Sequence, residues 1–94
     1  MVEKLINILK EHEGKELCYY VCTEDGLEIG TEDLGKMSFV DTRCSVDIKF
    51  EVMDLTIHFN QLKLVKNTDE QEDDDPDFLF SICLTGTTVY FYEI

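Results

Sequence analysis

Val2, Leu5, Ile6 and Leu9 recur at the i, i+3, i+4, i+7 spacing of a single helical face, with Lys4, Lys10 and Glu11 off it. Gly14 follows where a left-handed residue commonly ends a helix. Residues 2–13 are therefore expected to form one amphipathic helix, which is marginal alone and must pack on something to persist. Beyond Gly14 the pattern becomes β. Leu17 to Thr23 is rich in aromatic and β-branched residues and runs into the turn signal Glu24-Asp25-Gly26. A short strand over Leu27 to Gly30, a polar loop over Thr31 to Lys36 containing Gly35, and a weaker strand over Met37 to Cys44 follow.

Val46, Ile48, Phe50 and Val52 alternate with Asp47, Lys49 and Glu51, the pattern of a half-buried strand. Leu55, Ile57 and Phe59 alternate on the opposite parity, so a turn or bulge is required at Met53-Asp54. Parity flips again across Asn60-Gln61 into Leu62 and Leu64, for which a bulge is the simplest account. A final hairpin turns around Gly86. A two-residue loop there places Phe78, Phe80, Ile82 and Leu84 on one face with Val89 and Phe91. Ser81, Cys83, Thr85, Thr88, Tyr90 and Tyr92 share the other. The fold class read from these patterns is α+β: an N-terminal amphipathic helix packed on a mainly antiparallel sheet of five or six strands.

Charge changes the picture more than composition does. The 94 residues, 44% of them hydrophobic, suit one globular domain spanning 1–94. Net charge is −13, from 21 acids against 8 bases. Asp69, Glu70, Glu72, Asp73, Asp74, Asp75 and Asp77 lie within nine residues of one interstrand connection. They supply −7, leaving −6 for the remaining chain. An acidic ridge attracts basic surfaces, commonly those that hold nucleic acid. The same sign argues against direct nucleic-acid binding and against anionic membranes. Like charges this dense oppose ordering, so residues 67–77 are expected to form a flexible connection, with Pro76 helping to end any ladder. Extended, the run spans roughly 30 Å, about one charge per 4 Å, near the phosphate spacing of a DNA strand. Glu24, Asp25, Glu28, Glu32 and Asp33 form a candidate second patch.

The run fails as a calcium loop, because Asp74 stands where glycine is needed and Phe80 where a bidentate Glu is needed. The spacing of Cys18, Cys22, Cys44 and Cys83 fits no zinc template. They read as four reduced, buried or half-buried thiols of a cytoplasmic protein. Met1-Val2-Glu3-Lys4 opens no secretory leader, and no run approaches membrane-spanning length. His12, placed on the polar side of the helix, and His58 are expected as ordinary surface or half-buried residues. With no nucleophile, phosphate-loop or metalloprotease motif, the chain does not read as an enzyme, and no cofactor or metal is expected. Tyr90 and Tyr92, beside acids on the more polar sheet face, make a candidate docking surface, since tyrosine buries large area at low entropic cost.

The short chain, its one helix and several strands, and the acidic excess concentrated in Asp69–Asp77 together resemble the small phage-encoded inhibitors that mimic DNA, anti-CRISPR proteins among them. The resemblance rests on size, charge and the acidic run, and carries over no site residue. It implies an acidic surface occupying a nuclease channel that otherwise holds duplex DNA. The expected function is inhibition of a basic nucleic-acid-handling protein in a bacterial host. The alternatives are an immunity protein or antitoxin neutralising a basic toxin, and a structural or adaptor subunit using its tyrosine-bearing face. Self-association is compatible with each.

Overall fold

Helix α1 (Val2–His12) ends where Gly14 adopts a φ of 87°. Its buried stripe is Leu5, Ile8, Leu9 and His12. This set obeys the same helical spacing as the expected one, rotated so that Ile8 and His12 face inward while Val2 is exposed and Ile6 half-buried. The computed structural model describes residues 1–26, 28–30, 33–73 and 77–93, with the side chains of Glu28 and Ile29 excepted. The expected strand start at Leu27, the loop positions Thr31 and Glu32, and Asp74, Asp75, Pro76 and Ile94 lie outside those residues.

Among the described residues eight strands follow the helix: β1 (Leu17–Thr23), β2 (Glu28–Gly30), β3 (Ser38–Asp41), β4 (Ser45–Lys49), β5 (Asp54–His58), β6 (Leu62–Asn67), β7 (Phe80–Leu84) and β8 (Thr87–Glu93). They form two antiparallel sheets, one in the order β2-β1-β8-β7-β6 and one in the order β3-β4-β5. The α+β class holds, but the single sheet of five or six strands is corrected to a five-stranded and a three-stranded sheet. Of the two parity switches, one lies within the smaller sheet and the other between the sheets. The first is a tight hairpin turn in which Phe50 N–H donates to the Met53 carbonyl (2.8 Å), leaving Val52 68% exposed at its tip. The second is a 3-10 turn over Phe59–Gln61 that carries the chain from β5 into β6, and so from one sheet to the other. A bulge is present as well, one step later. It lies between Leu62, opposite Leu84, and Leu64, opposite Cys83, so Leu62 is buried and Leu64 is 46% exposed.

One core joins both sheets and the helix. Val46, Ile48, Phe50 and Ile57 of the smaller sheet and its turn meet Val65, Phe80, Ile82, Val89 and Phe91 of the larger, with Leu5, Ile8 and Leu9 of α1. Phe91 stacks on Phe80 at 4.7 Å and on Phe50 at 6.1 Å, linking the sheets ring to ring. The apolar hairpin face is thus covered jointly by α1 and by the second sheet. Phe78 departs from its expected place. It precedes β7, lies outside the core cluster, and packs 5.5 Å from Tyr90 on the opposite face. The turn between β7 and β8 is Thr85-Gly86, with Gly86 at a φ of 76°, and sets Phe80 opposite Phe91 and Ile82 opposite Val89.

Candidate functional site

The acidic run begins where β6 ends. Asn67 caps a one-turn 3-10 segment, Thr68–Glu70: its side chain accepts from Thr68 N–H (3.1 Å), and the Glu70 carboxylate accepts from Asn67 N–H (3.0 Å). Glu70 also pairs with Lys4 of α1 (2.5 Å), and Lys66 lies 3.6 Å from Glu72. The Lys4 bond, then the Asn67 N–H, hold the Glu70 carboxyl below its ordinary value. Gln71 Nε2 donates to Asp77 Oδ1 (3.0 Å), tying the two ends of the run together. Asp69, Glu70, Glu72, Asp73 and Asp77 are all exposed. Asp74 and Asp75 lie outside the described residues.

The second group does not join this run. β7 starts at Phe80, paired with Asn67 and Phe91, and ends at Leu84, paired with Leu62 and Thr87. The run connects to the first end. Glu24 and Asp25 follow Thr23, which pairs with Thr87 at the second end. The four strand steps between Phe80 and Leu84 separate the two by about 13 Å. Asp33 belongs instead with the first end, because Leu34 N–H donates to the Leu17 carbonyl and Leu17 pairs with Glu93. Its carboxylate accepts from Gly35 N–H (2.7 Å) and shapes the loop there. Glu28 sits in β2 opposite Cys22, with its side chain outside the description, as is all of Glu32. The molecule therefore carries two acidic ends, the run with Asp33 at one and Glu24-Asp25 at the other.

Tyr90 and Tyr92 face away from α1 and the smaller sheet, on the outer face of the larger one, opposite Tyr20 and Cys18 of β1. Tyr20 and Tyr90 approach to 6.3 Å between ring centres, and Phe78 extends the row beyond Tyr90. Tyr92 is 36% exposed, and partial burial, then the Cys18 thiol, push its hydroxyl above its ordinary value. The four cysteines form no disulfide. Cys18 is buried, Cys22 and Cys83 are half-buried, and Cys44, in the turn between β3 and β4, is exposed, contrary to its expected burial. Among the described residues no three His, Cys, Asp or Glu side chains converge as a metal site. No helix among them is long and apolar enough to cross a membrane.

Two features escape a reading of the sequence. His12 is buried, 5% exposed, and stacks on Phe80 at 5.4 Å. Lys15 Nζ lies 3.1 Å from its Nδ1. An ammonium only donates, so Nδ1 accepts and the ring proton sits on Nε2, which is buried with no partner among the described residues. The i, i+3, i+4, i+7 relation of His12 to Leu5, Ile8 and Leu9 was the available signal. The second feature is a cleft of about 340 Å³ between the sheets, lined by Tyr19, Val21, Met53, Leu55, Leu84 and Val89 among others. It lies at the Glu24 end of the larger sheet. No local sequence signal marks it, since it depends on how the two sheets meet. Comparison with family models, curated proteins and solved structures finds no match to the chain.

Proposed function

We propose that the chain binds and inhibits a basic nucleic-acid-handling protein, in the first place a nuclease, by DNA mimicry or by occluding its nucleic-acid channel. This is the mode of the anti-CRISPR and other phage anti-defence inhibitors that it resembles. The observation that carries this reading is the acidic run. All five of its described acids are exposed, and two of them, Glu70 and Glu72, are paired with lysines, in a chain of net charge −13. A field of this sign speeds encounter with a basic partner and weakens with salt. The capping turn and the Gln71–Asp77 bond support it further, because carboxylates held in place mimic a phosphate row better than freely moving ones. The test replaces the seven acids by Asn and Gln and measures partner capture from bacterial lysate across a salt gradient. Weaker capture with a flatter salt dependence is expected, together with competition by duplex DNA. Unchanged capture removes the electrostatic reading.

The outer tyrosine row favours a second reading of another class, an adaptor subunit that docks through Tyr20, Tyr90 and Tyr92 and whose acids serve solubility. Under it, Tyr90→Ala and Tyr92→Ala abolish capture while the neutralised run leaves it intact.

A further inference from the structure

Two cross-strand rows build the outer face of the larger sheet, Tyr20-Tyr90-Ser81-Lys66 and Cys22-Thr88-Cys83-Leu64. Tyr20, Tyr90, Cys83 and Thr88 are half-buried, Leu64 is 46% exposed, and Tyr92 beside them is 36% exposed. The acidic run is fastened to this face at two points. Glu72 lies 3.6 Å from Lys66 at the end of the first row, and the buried Phe78 packs on Tyr90. Within the ion pair the Lys66 side chain is 21% exposed and the Glu72 side chain 69%, so the carboxylate is the outward member. Two shallow hollows, of about 200 and 150 Å³, meet on this face at Cys83 and Thr88. One reaches Tyr90 and Lys66, the other Cys22 and the exposed Glu24. Glu24 stands four strand steps beyond Tyr20, about 13 Å away. Carboxylates therefore border the aromatic rows on two sides.

We propose that this face is the docking surface for an arginine-bearing segment of the partner. Its guanidinium groups stack on Tyr20, Tyr90 and Tyr92, and Glu24 and Glu72 pair with them from the two borders. Planar guanidinium suits both halves of such a surface, because it stacks on aromatic rings and forks onto carboxylates, whereas an ammonium is a compact hydrated charge. Sign decides against other occupants. Aromatic rows on a sheet also stack nucleic-acid bases, but there cations must follow the phosphates. Lys66 is the one cation in the two rows, and Glu72 stands outside it. A second copy of the chain brings another −13. The inference rests on the proposal of a basic partner, and it joins the acidic run and the tyrosine row into one surface.

The probes are three fifteen-residue Gly/Ser peptides with four positions occupied by Arg, Lys or neutral citrulline, titrated into the full ¹⁵N-labelled chain and followed by amide shifts. With Arg, shifts are expected at Tyr20, Cys22, Cys83, Thr88 and Tyr90 as well as at Glu24 and Glu72, and binding about fivefold tighter than with Lys. Glu24→Gln is expected to weaken both cationic peptides alike. Tyr90→Leu, with folding checked by thermal melting, and the more exposed Tyr92→Leu are expected to shrink the Arg preference. An undiminished preference in both tyrosine variants, or no effect of Glu24→Gln, overturns the docking surface. Shifts confined to the acidic run, with equal affinities for Arg and Lys, also overturn it and leave the electrostatic proposal standing. No shifts with any peptide overturn both. Citrulline binding as tightly as Arg overturns it in favour of an uncharged segment, and equal shifts with oligothymidylate in favour of single-stranded nucleic acid.

Discussion

Replacing His12 by Phe is expected to stabilise the fold and to flatten its dependence on pH. The ring is 5% exposed, and its Nε2–H has no partner among the described residues. An unsatisfied buried donor costs about 1–3 kcal/mol. Phe removes that donor and keeps an aromatic face against Phe80, where His12 now stacks at 5.4 Å. It gives up the Lys15–Nδ1 contact, a charge-assisted bond that solvent screening at this part-buried position reduces to about 1 kcal/mol. The net gain at pH 8 is therefore about 1 kcal/mol, or roughly 4–8 °C in Tm for a domain of this size. Burial, then the Lys15 ammonium, hold the His12 imidazole below its ordinary 6.5, against the opposing pull of Glu11 and Glu93. Below 6.5 the unfolded chain takes up a proton that the folded chain resists. The contribution of the neutral His12 to stability is thus fully present above 6.5 and falls as pH drops toward the lowered folded value, by at most about 1.4 kcal/mol per pH unit. The Phe variant lacks this slope. Urea unfolding followed by circular dichroism at pH 8, 7, 6 and 5.5 measures both quantities. A variant less stable at pH 8, or one with the same slope as the native chain, would refute the buried, neutral imidazole.

The remaining stability predictions concern backbone and core. Gly35→Ala is expected to cost more than about 1–2 kcal/mol, because φ is 90° there and the new Cβ would collide with the Glu51 side chain. Adding Glu51→Ala should recover only part of the collision, because the Cβ of residue 51 still stands 2.6 Å from the new one, as chemical denaturation of the single and double variants will show. Gly86→Ala, with nothing closer than 3.7 Å, is expected to show the conformational part alone. Phe91→Ala removes a fully buried ring that stacks on both Phe80 and Phe50, so a loss of about 3–5 kcal/mol is expected. Against a total of roughly 5–15 kcal/mol for a native domain, a large fraction unfolded at 37 °C by near-ultraviolet circular dichroism is the readout.

The sandwich, closed by α1 near Phe80 and open at the cleft, places the acidic run and the cleft at different ends. A partner engaging both would have to span the length of the larger sheet.

Taken alone, the sequence determined what depends on neighbours along the chain. The helix and its Gly14 stop, the turn at Glu24-Asp25-Gly26, the alternation of β4 and β5, and the two faces of the β7–β8 hairpin all follow from periods of 3.6 and 2 with their turn residues. The acidic run was equally legible, because seven carboxylates in nine positions need no fold to be counted. Tertiary structure alone decided what depends on pairing between distant segments. Two antiparallel sheets and one larger sheet share the same alternation, and what separates them is where the chain crosses, once between β2 and β3 and again at Phe59–Gln61. That choice buried His12, turned Leu64 outward past a bulge, moved Phe78 to the tyrosine face and opened the cleft. It also set Glu24-Asp25 apart from the run, since strand direction, and not sequence distance, decides which turns share an end of a sheet.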